Sequence, residues 1–143
     1  MLALRIITVT IAAVGLVVNA VIHLMLAGPY DANTGALIGQ GDLFRIQAAV
    51  NVLVAVMLLA TLRWHRWAVV AAITAAVVAA GGLALVVITA LVPLDLTAIG
   101  LPYLFEPIWF GDKIISAVAQ GIALVAAGLA AALSFRGTGA RRP

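Results

Sequence analysis

Six polar side chains inside apolar stretches of this sequence are spaced so that they could recognise a ligand. They fall into three pairs at positions i and i+4: Asn19 with His23, Gln47 with Asn51, and Ser116 with Gln120. Residues four apart share one face of a helix, so each pair gives its helix a short polar face. Amide, hydroxyl and imidazole groups donate and accept hydrogen bonds, and a histidine also titrates near neutral pH. The set is typical of binding or of helix packing.

Three charged residues lie close to the same pairs in sequence: Arg45, Lys113 and Glu106. A guanidinium just inside an apolar stretch needs a partner or must extend toward water. We expect a carboxylate to hold Arg45, and we place Glu106 ahead of Asp42 as its partner. A local pair with Asp42, one turn earlier, is the alternative. Binding of an anionic ligand is a further possibility, because arginine suits carboxylate and phosphate groups.

Four long apolar stretches, at about 4–27, 44–62, 67–92 and 114–135, must position these residues. The chain is 66% hydrophobic and 9% charged, whereas a soluble domain averages roughly 45–50% apolar and about 25% charged. Each stretch supplies the ~20 helical residues that cross a bilayer, and backbone groups in lipid must bond within their own helix. The predicted fold class is all-α, a four-transmembrane-helix bundle in one membrane domain over 1–143, with outer loops 28–43 and 93–113.

The charges predict how this bundle lies in the membrane. All five acidic residues fall in or beside the two outer loops. Six of the eight Lys and Arg residues lie elsewhere: Arg5, Arg63, Arg66, Arg136, Arg141 and Arg142. Basic residues accumulate on the cytoplasmic side, so both termini are expected there in a multi-pass protein of the cell (plasma) membrane. The first stretch is too long for a signal peptide core and is expected to be retained.

With this topology the three polar pairs and the three charged residues lie in the outer half of the bilayer. Two interpretations stay open. The residues form either a hydrogen-bond network that holds the helices together, at roughly 0.6 kcal/mol per contact, or a ligand or partner site open to the non-cytoplasmic side. The candidate cluster contains Asn19, His23, Arg45, Gln47, Asn51, Glu106, Lys113, Ser116 and Gln120.

The second outer loop is unusually apolar for its length. It mixes aromatic and aliphatic residues with Pro93, Pro102 and Pro107. Loops of this length are often functional, so it is expected either to cover the polar cluster or to anchor the bundle at the interface. Glu106 precedes a proline and should be extended.

Small residues predict how the helices pack. The third stretch carries Ala71, Ala75 and Ala79, and the fourth carries Gly128 and Ala132. Small residues four apart let helices approach closely in lipid, so we expect packing within the bundle, with a dimer seam as the alternative.

Several functions are disfavoured by the residues that are missing. The chain has no cysteine, and His65 lies at the opposite end of the bundle from His23, so one chain offers no bis-histidine haem site. No metal site or cofactor is predicted. The dispersed basic residues form no nucleic-acid-binding stripe. No acidic residue lies in the membrane centre, which argues against a proton relay, and phosphate-loop, zinc-protease and serine-hydrolase motifs are absent.

A resemblance covers most of the chain. It rests on four segments, Asn19–Leu24, Gly28–Asp31, Leu43–Ala48 and Phe105–Trp109, and on the single residue Lys113. They resemble an uncharacterised actinobacterial family of small four-helix integral membrane proteins. The resemblance implies a four-helix membrane fold and implies no activity.

The sequence therefore favours an integral membrane protein without autonomous catalysis, as an accessory or scaffolding subunit or as a small binding protein that uses the outer cluster. A homo-oligomeric transporter of small solutes or lipids is the alternative, and a membrane enzyme of unknown reaction is the third possibility. The expected partners are the lipid bilayer and other membrane subunits or further copies of the chain.

The charge distribution makes a topological prediction. A reporter enzyme that is active only outside the cytoplasm should be active when fused at Gly35 or Gly100 and silent when fused after Pro143, because the basic ends stay on the cytoplasmic side. Activity of the reporter at the C-terminus would contradict the predicted orientation.

Overall fold

The computed structural model describes residues 2–139 and is built on four long helices. They are α1 (Leu2–Ala27), α2 (Gln40–Ala60), α3 (Ala68–Leu91) and α4 (Gly111–Gly139). All four are long and apolar enough to cross a membrane. The all-helical, four-span prediction is confirmed to that extent. Arg141 and Arg142, used to predict orientation, lie outside the described residues.

Two helices begin earlier than predicted. Helix α2 starts at Gln40 instead of about 44, and α4 starts at Gly111 instead of about 114. The apolar stretches did not include these first turns, which carry Asp42 and Asp112. Carboxylates are favourable there because the helix N-terminus has a partial positive charge. In α2 and α4 the helix therefore begins about one turn before the apolar stretch.

The two outer loops pack against each other at one end of the bundle. Within the second loop, β1 (Leu94–Asp95) pairs antiparallel with β2 (Tyr103–Leu104), a small hairpin that the sequence did not predict. The Leu37 N–H donates to the Gly100 carbonyl at 2.8 Å, and Asn33 Nδ2 donates to the Tyr103 carbonyl at 2.9 Å. We call this the loop end. The opposite turn end holds residues 61–67 and the start of α1.

The helices pack unevenly around the bundle. Helix α1 lies against α2 and α4, and α4 lies against α3, whereas α2 and α3 contact each other only sparsely. The hydrophobic core fills the half nearest the turn end and consists mostly of alanine, with Val9, Leu16 and Leu58 as larger members. The loop-end half of the α2–α3 side is therefore the least closely packed part of the bundle.

Gly15 lets α1 and α4 come together. A methyl group at this position would lie 2.8 Å from the Ala119 carbonyl oxygen and 3.0 Å from the Ala123 Cβ. Both neighbours belong to α4, and one is backbone. Close approach of this kind replaces the hydrophobic driving force that helices in lipid lack.

The small residues of α3 and α4 differ in their role. Ala71, Ala75 and Ala79 are buried, as predicted. Gly128 and Ala132 instead lie on the exposed face of α4, so their expected packing within the bundle is wrong. The buried face of α4 is the alanine-rich one that contains Ala119, Ala123 and Ala127, whereas larger side chains such as Val118 and Ile122 are exposed.

Arg5 has a structural role at the turn end. It is buried, and its Nη2 donates to the Thr61 carbonyl at 2.5 Å, just beyond the last residue of α2. Carbonyls at a helix C-terminus lack partners within the helix and carry partial negative charge. The guanidinium therefore ties the start of α1 to the end of α2.

The Gly15 contact predicts opposite effects for two glycine substitutions. Gly15→Ala should lower the thermal unfolding temperature in detergent, because the added methyl meets α4 backbone and overpacking costs about 1–3 kcal/mol. Gly128→Ala has no atom within 4 Å of the new methyl. It should be neutral or stabilising by up to ~1 kcal/mol, because alanine is the better helix former. Equal effects of the two changes would contradict a close α1–α4 contact at Gly15.

A candidate binding cavity above a buried polar layer

The centre of the polar layer is Asn19. Its side chain is 0% exposed, and its Oδ1 accepts hydrogen bonds from Ser116 Oγ at 2.6 Å and from Gln120 Nε2 at 3.0 Å. Gln120 Nε2 also approaches Ser116 Oγ at 3.3 Å. Three of the six paired residues predicted from the sequence therefore meet, and they join α1 to α4.

The α2 members of the layer make no hydrogen bond. Asn51 is also 0% exposed, and neither its Oδ1 nor its Nδ2 has a partner among the described residues. Gln47 Nε2 is likewise buried without a partner in that part of the chain. Burying such a group without a hydrogen bond costs about 1–3 kcal/mol. The predicted meeting of all three polar faces is therefore only partly realised through hydrogen bonds.

Gly82 makes room for this layer on α3. A methyl group there would overlap Gln120 Oε1 and come within 3.1 Å of Gln47 Nε2. Amides from α2 and α4 thus lie against the same glycine. Gly82 was not among the residues predicted for the site, because a glycine within an apolar stretch gives no sign of the amides that it will contact.

His23 lies one turn above Asn19 and faces the loop end. Its Nδ1 is 2.9 Å from the Asn19 carbonyl oxygen. A carbonyl oxygen only accepts, so Nδ1 carries the hydrogen, and Nε2 of the neutral ring is then an acceptor. The ring meets Phe44 edge-on at 5.2 Å between centroids, and Tyr30 meets the same phenyl ring at 5.1 Å. These contacts hold the imidazole in one orientation.

Glu106 is held by two neighbouring elements. Its Oε2 accepts from the Tyr30 hydroxyl at 2.7 Å, and its N–H donates to the Thr89 carbonyl at 2.9 Å. Burial, the bond to Glu106 and the charge of Glu106 raise the pKa of Tyr30 to about 12. Any stability gained from that shift is therefore complete below the usual tyrosine pKa of about 10 and is lost as the pH rises through the higher value. Glu106 lies outside the helices, between β2 and α4.

Lys113 is the buried cation nearest to Glu106. It is 6% exposed, and its ammonium donates to the Glu106 backbone carbonyl and lies 5.0 Å from the centre of the Trp109 ring. A cation over an indole face is favourable, most of all away from water. Backbone and ring together stabilise the charge at the start of α4.

The predicted pairing of Arg45 with Glu106 is wrong. The guanidinium binds Asp31 through two contacts, at 2.7 and 2.8 Å, and also approaches Asp42 Oδ1 at 3.1 Å. The pairs are exposed, with 45% of the Arg45 side chain accessible. The first loop returns over the start of α2 and brings Asp31 within reach, which sequence separation did not reveal. The bond to Arg45 holds the pKa of Asp31 below its usual value.

A cavity of about 250 Å³ lies above the polar layer at the loop end. Ile46 of α2 and Leu85 of α3 both line it, and both are about half exposed, at 49% and 51%. The cavity therefore opens sideways, between α2 and α3, which contact each other less than the other neighbouring long helices do. Its walls are mainly apolar, with Leu43, Phe44 and Val86 among them.

Five of the nine predicted site residues line the cavity: His23, Gln47, Glu106, Lys113 and Ser116. Asn19 and Gln120 form the hydrogen-bonded layer with Ser116 and, like Asn51, are not among the lining residues, while Arg45 binds its carboxylates outside it. Tyr30 and Phe44 also line it, although neither belonged to the predicted cluster. Within residues 2–139, no three His, Asp or Glu side chains are placed to hold a metal ion.

A scan against protein-family models and searches of curated proteins and of solved structures found no match for this chain. The resemblance to an actinobacterial family therefore stays a prediction.

The two buried asparagines predict contrasting outcomes of the same substitution. Asn19→Leu removes an acceptor used by two donors and leaves Ser116 and Gln120 without it, so the unfolding temperature in detergent should fall, by the equivalent of about 1–3 kcal/mol. Asn51→Leu removes two atoms that bond nothing and should be neutral or stabilising. A larger loss for Asn51→Leu than for Asn19→Leu would contradict this hydrogen-bond assignment.

Proposed function

We propose that this protein is a multi-pass plasma-membrane binding protein that holds a small amphipathic ligand in the loop-end cavity, on the non-cytoplasmic side. The observation that carries the proposal is the cavity itself: apolar walls, a few polar groups from α1, α2, α4 and the second outer loop, and an opening that faces sideways between α2 and α3. Ligand sites commonly combine mainly apolar walls with a few placed polar groups.

The sideways opening favours a ligand that arrives through the lipid. Ile46 and Leu85 at the mouth are apolar and exposed. A hydrocarbon chain therefore meets only apolar side chains as it passes between them from the lipid into the cavity. At about 250 Å³ the cavity is slightly below the roughly 300–1,000 Å³ typical of small-molecule pockets. This size suits a headgroup with the first part of a chain, the remainder staying in the bilayer.

Binding is favoured over transport by the packing below the cavity. Toward the turn end, α1, α2, α3 and α4 close around the alanine-rich core, where Leu16 and Leu58 are completely buried. A transport cycle would have to separate these helices across half of the bundle. The cavity instead serves one side of the membrane.

A second candidate function, that of an accessory subunit, is favoured by the surface of the loop end. Leu37, Ile99 and Ile108 are among its most exposed apolar side chains. Contiguous apolar surface beyond the membrane spans is typical of contact with another protein or with the headgroup region. This role is compatible with ligand binding, because Leu37, Ile99 and Ile108 are not among the cavity-lining residues.

Photolabelling with a diazirine-bearing single-chain amphiphile tests the proposed function. The probe should label cavity residues of α2 and α3 saturably, and excess unlabelled amphiphile should suppress that labelling. Val86→Trp fills the cavity and should weaken cavity labelling about tenfold, the equivalent of ~1.4 kcal/mol. Val77→Trp, on the exposed surface of the same helix, is the matched control and should leave it unchanged. Labelling that is unsaturable, or equally affected by both variants, would refute binding in the cavity.

A further inference from the structure

The polar atoms left open in the cavity are mostly hydrogen-bond acceptors. His23 Nε2 is an acceptor because Nδ1 carries the hydrogen. Gln47 Oε1 and Glu106 Oε1 have no partner among the described residues, since the Glu106 bond to Tyr30 uses Oε2. All three residues line the cavity. None of these three atoms is one of the fully buried polar atoms without a hydrogen-bond partner, so a ligand in the cavity can reach them. A ligand must therefore bring donors.

One ammonium group accompanies these acceptors. Lys113 has three N–H donors, of which one reaches the Glu106 carbonyl and the charge as a whole faces the Trp109 ring. Its positive charge lies beside the Glu106 carboxylate, so the charged groups of the lining balance each other. Arg45 adds nothing to this balance, because two carboxylates already bind it outside the cavity.

These features separate the possible headgroups. A carboxylate or phosphate could use the two free N–H groups of Lys113 and the Gln40 amide, whose Nε2 has no partner among the described residues, but it would face three acceptors, one of them the Glu106 carboxylate. An alkylammonium would supply donors but would lie beside the Lys113 ammonium in a low-dielectric site, where like charges repel strongly. Hydroxyl groups both donate and accept and carry no charge. They match the three acceptors and the remaining Lys113 and Gln40 donors together.

Building on the proposed function, we propose that the ligand is a neutral lipid with a polyol headgroup, of the glycerol or sugar type. Its hydroxyls donate to His23 Nε2, Gln47 Oε1 and Glu106 Oε1, and one hydroxyl oxygen accepts from Lys113. Its chain leaves between Ile46 and Leu85 into the bilayer. The edge-on contact of Phe44 with His23 sets the depth at which the headgroup stops.

Competition among chain-matched amphiphiles tests the headgroup. The protein is placed in phosphatidylcholine nanodiscs, because sugar-headed detergents would themselves compete. A monoacylglycerol, a fatty acid and an alkylamine of one chain length then displace the same diazirine amphiphile. The monoacylglycerol should compete at a concentration about tenfold lower than either charged analogue. His23→Phe and Gln47→Met should each reduce that advantage several-fold, while Asn51→Leu, which lies below the cavity, should not.

The outcomes distinguish this inference from the proposed function. If all three amphiphiles compete equally, the cavity binds amphiphiles and the polyol assignment is overturned. If a charged analogue competes best, the polyol assignment is also overturned. If none competes, both the polyol assignment and the proposed function fail. The fatty acid serves as the folding control for each cavity variant. A variant that binds the fatty acid as the wild type does is folded, and loss of its preference for the monoacylglycerol then supports the polyol assignment.

Discussion

The double hydrogen bond accepted by Asn19 Oδ1 is the interaction on which the rest of the bundle depends. In a bilayer no water competes for buried polar groups, so the donors of Ser116 and Gln120 must find their acceptor inside the protein. They find it on α1. Because Gly15, about one helical turn from Asn19, brings the same two helices into backbone contact in the core, α1 and α4 form the rigid seam of the structure. Helix α2 then packs on α1 and helix α3 on α4.

An opening on the remaining side follows from this arrangement. Once α2 and α3 are each committed to a different member of the seam, the contact between them is sparse. Small residues close the gap in the turn-end half, where alanine dominates. At the loop end the larger side chains of Phe44, Leu85 and Val86 stand around a cavity instead of filling it. The cavity thus results from the unequal packing of the four helices, and no additional helix or strand is needed to form it.

The outer loops determine which charges the cavity contains. Tyr30 binds Glu106 from the first loop, and the N–H of Glu106 is fixed to Thr89 at the end of α3. These two hydrogen bonds place the Glu106 carboxylate in the cavity lining, which also contains Lys113. The first loop also carries Asp31, which occupies Arg45 on the outside. Two acidic residues of the outer loops thereby acquire different surroundings, one in the cavity lining and one on the surface.

The sequence by itself determined the number of helices, their approximate lengths and the level of the polar residues along the bundle, because hydropathy over about 20 residues and the i, i+4 spacing act locally along each helix. It also singled out five side chains that line the cavity. Only the tertiary structure decided that α4 buries Ala119, Ala123 and Ala127 and exposes Gly128 and Ala132, because both sets are small residues that could allow close helix packing. The partner of Arg45, the place of Gly82 and the separation of Asn51 from its polar neighbours were likewise decided by how helices and loops meet. Such contacts join residues far apart in the chain, and neither periodicity nor composition carries information about them.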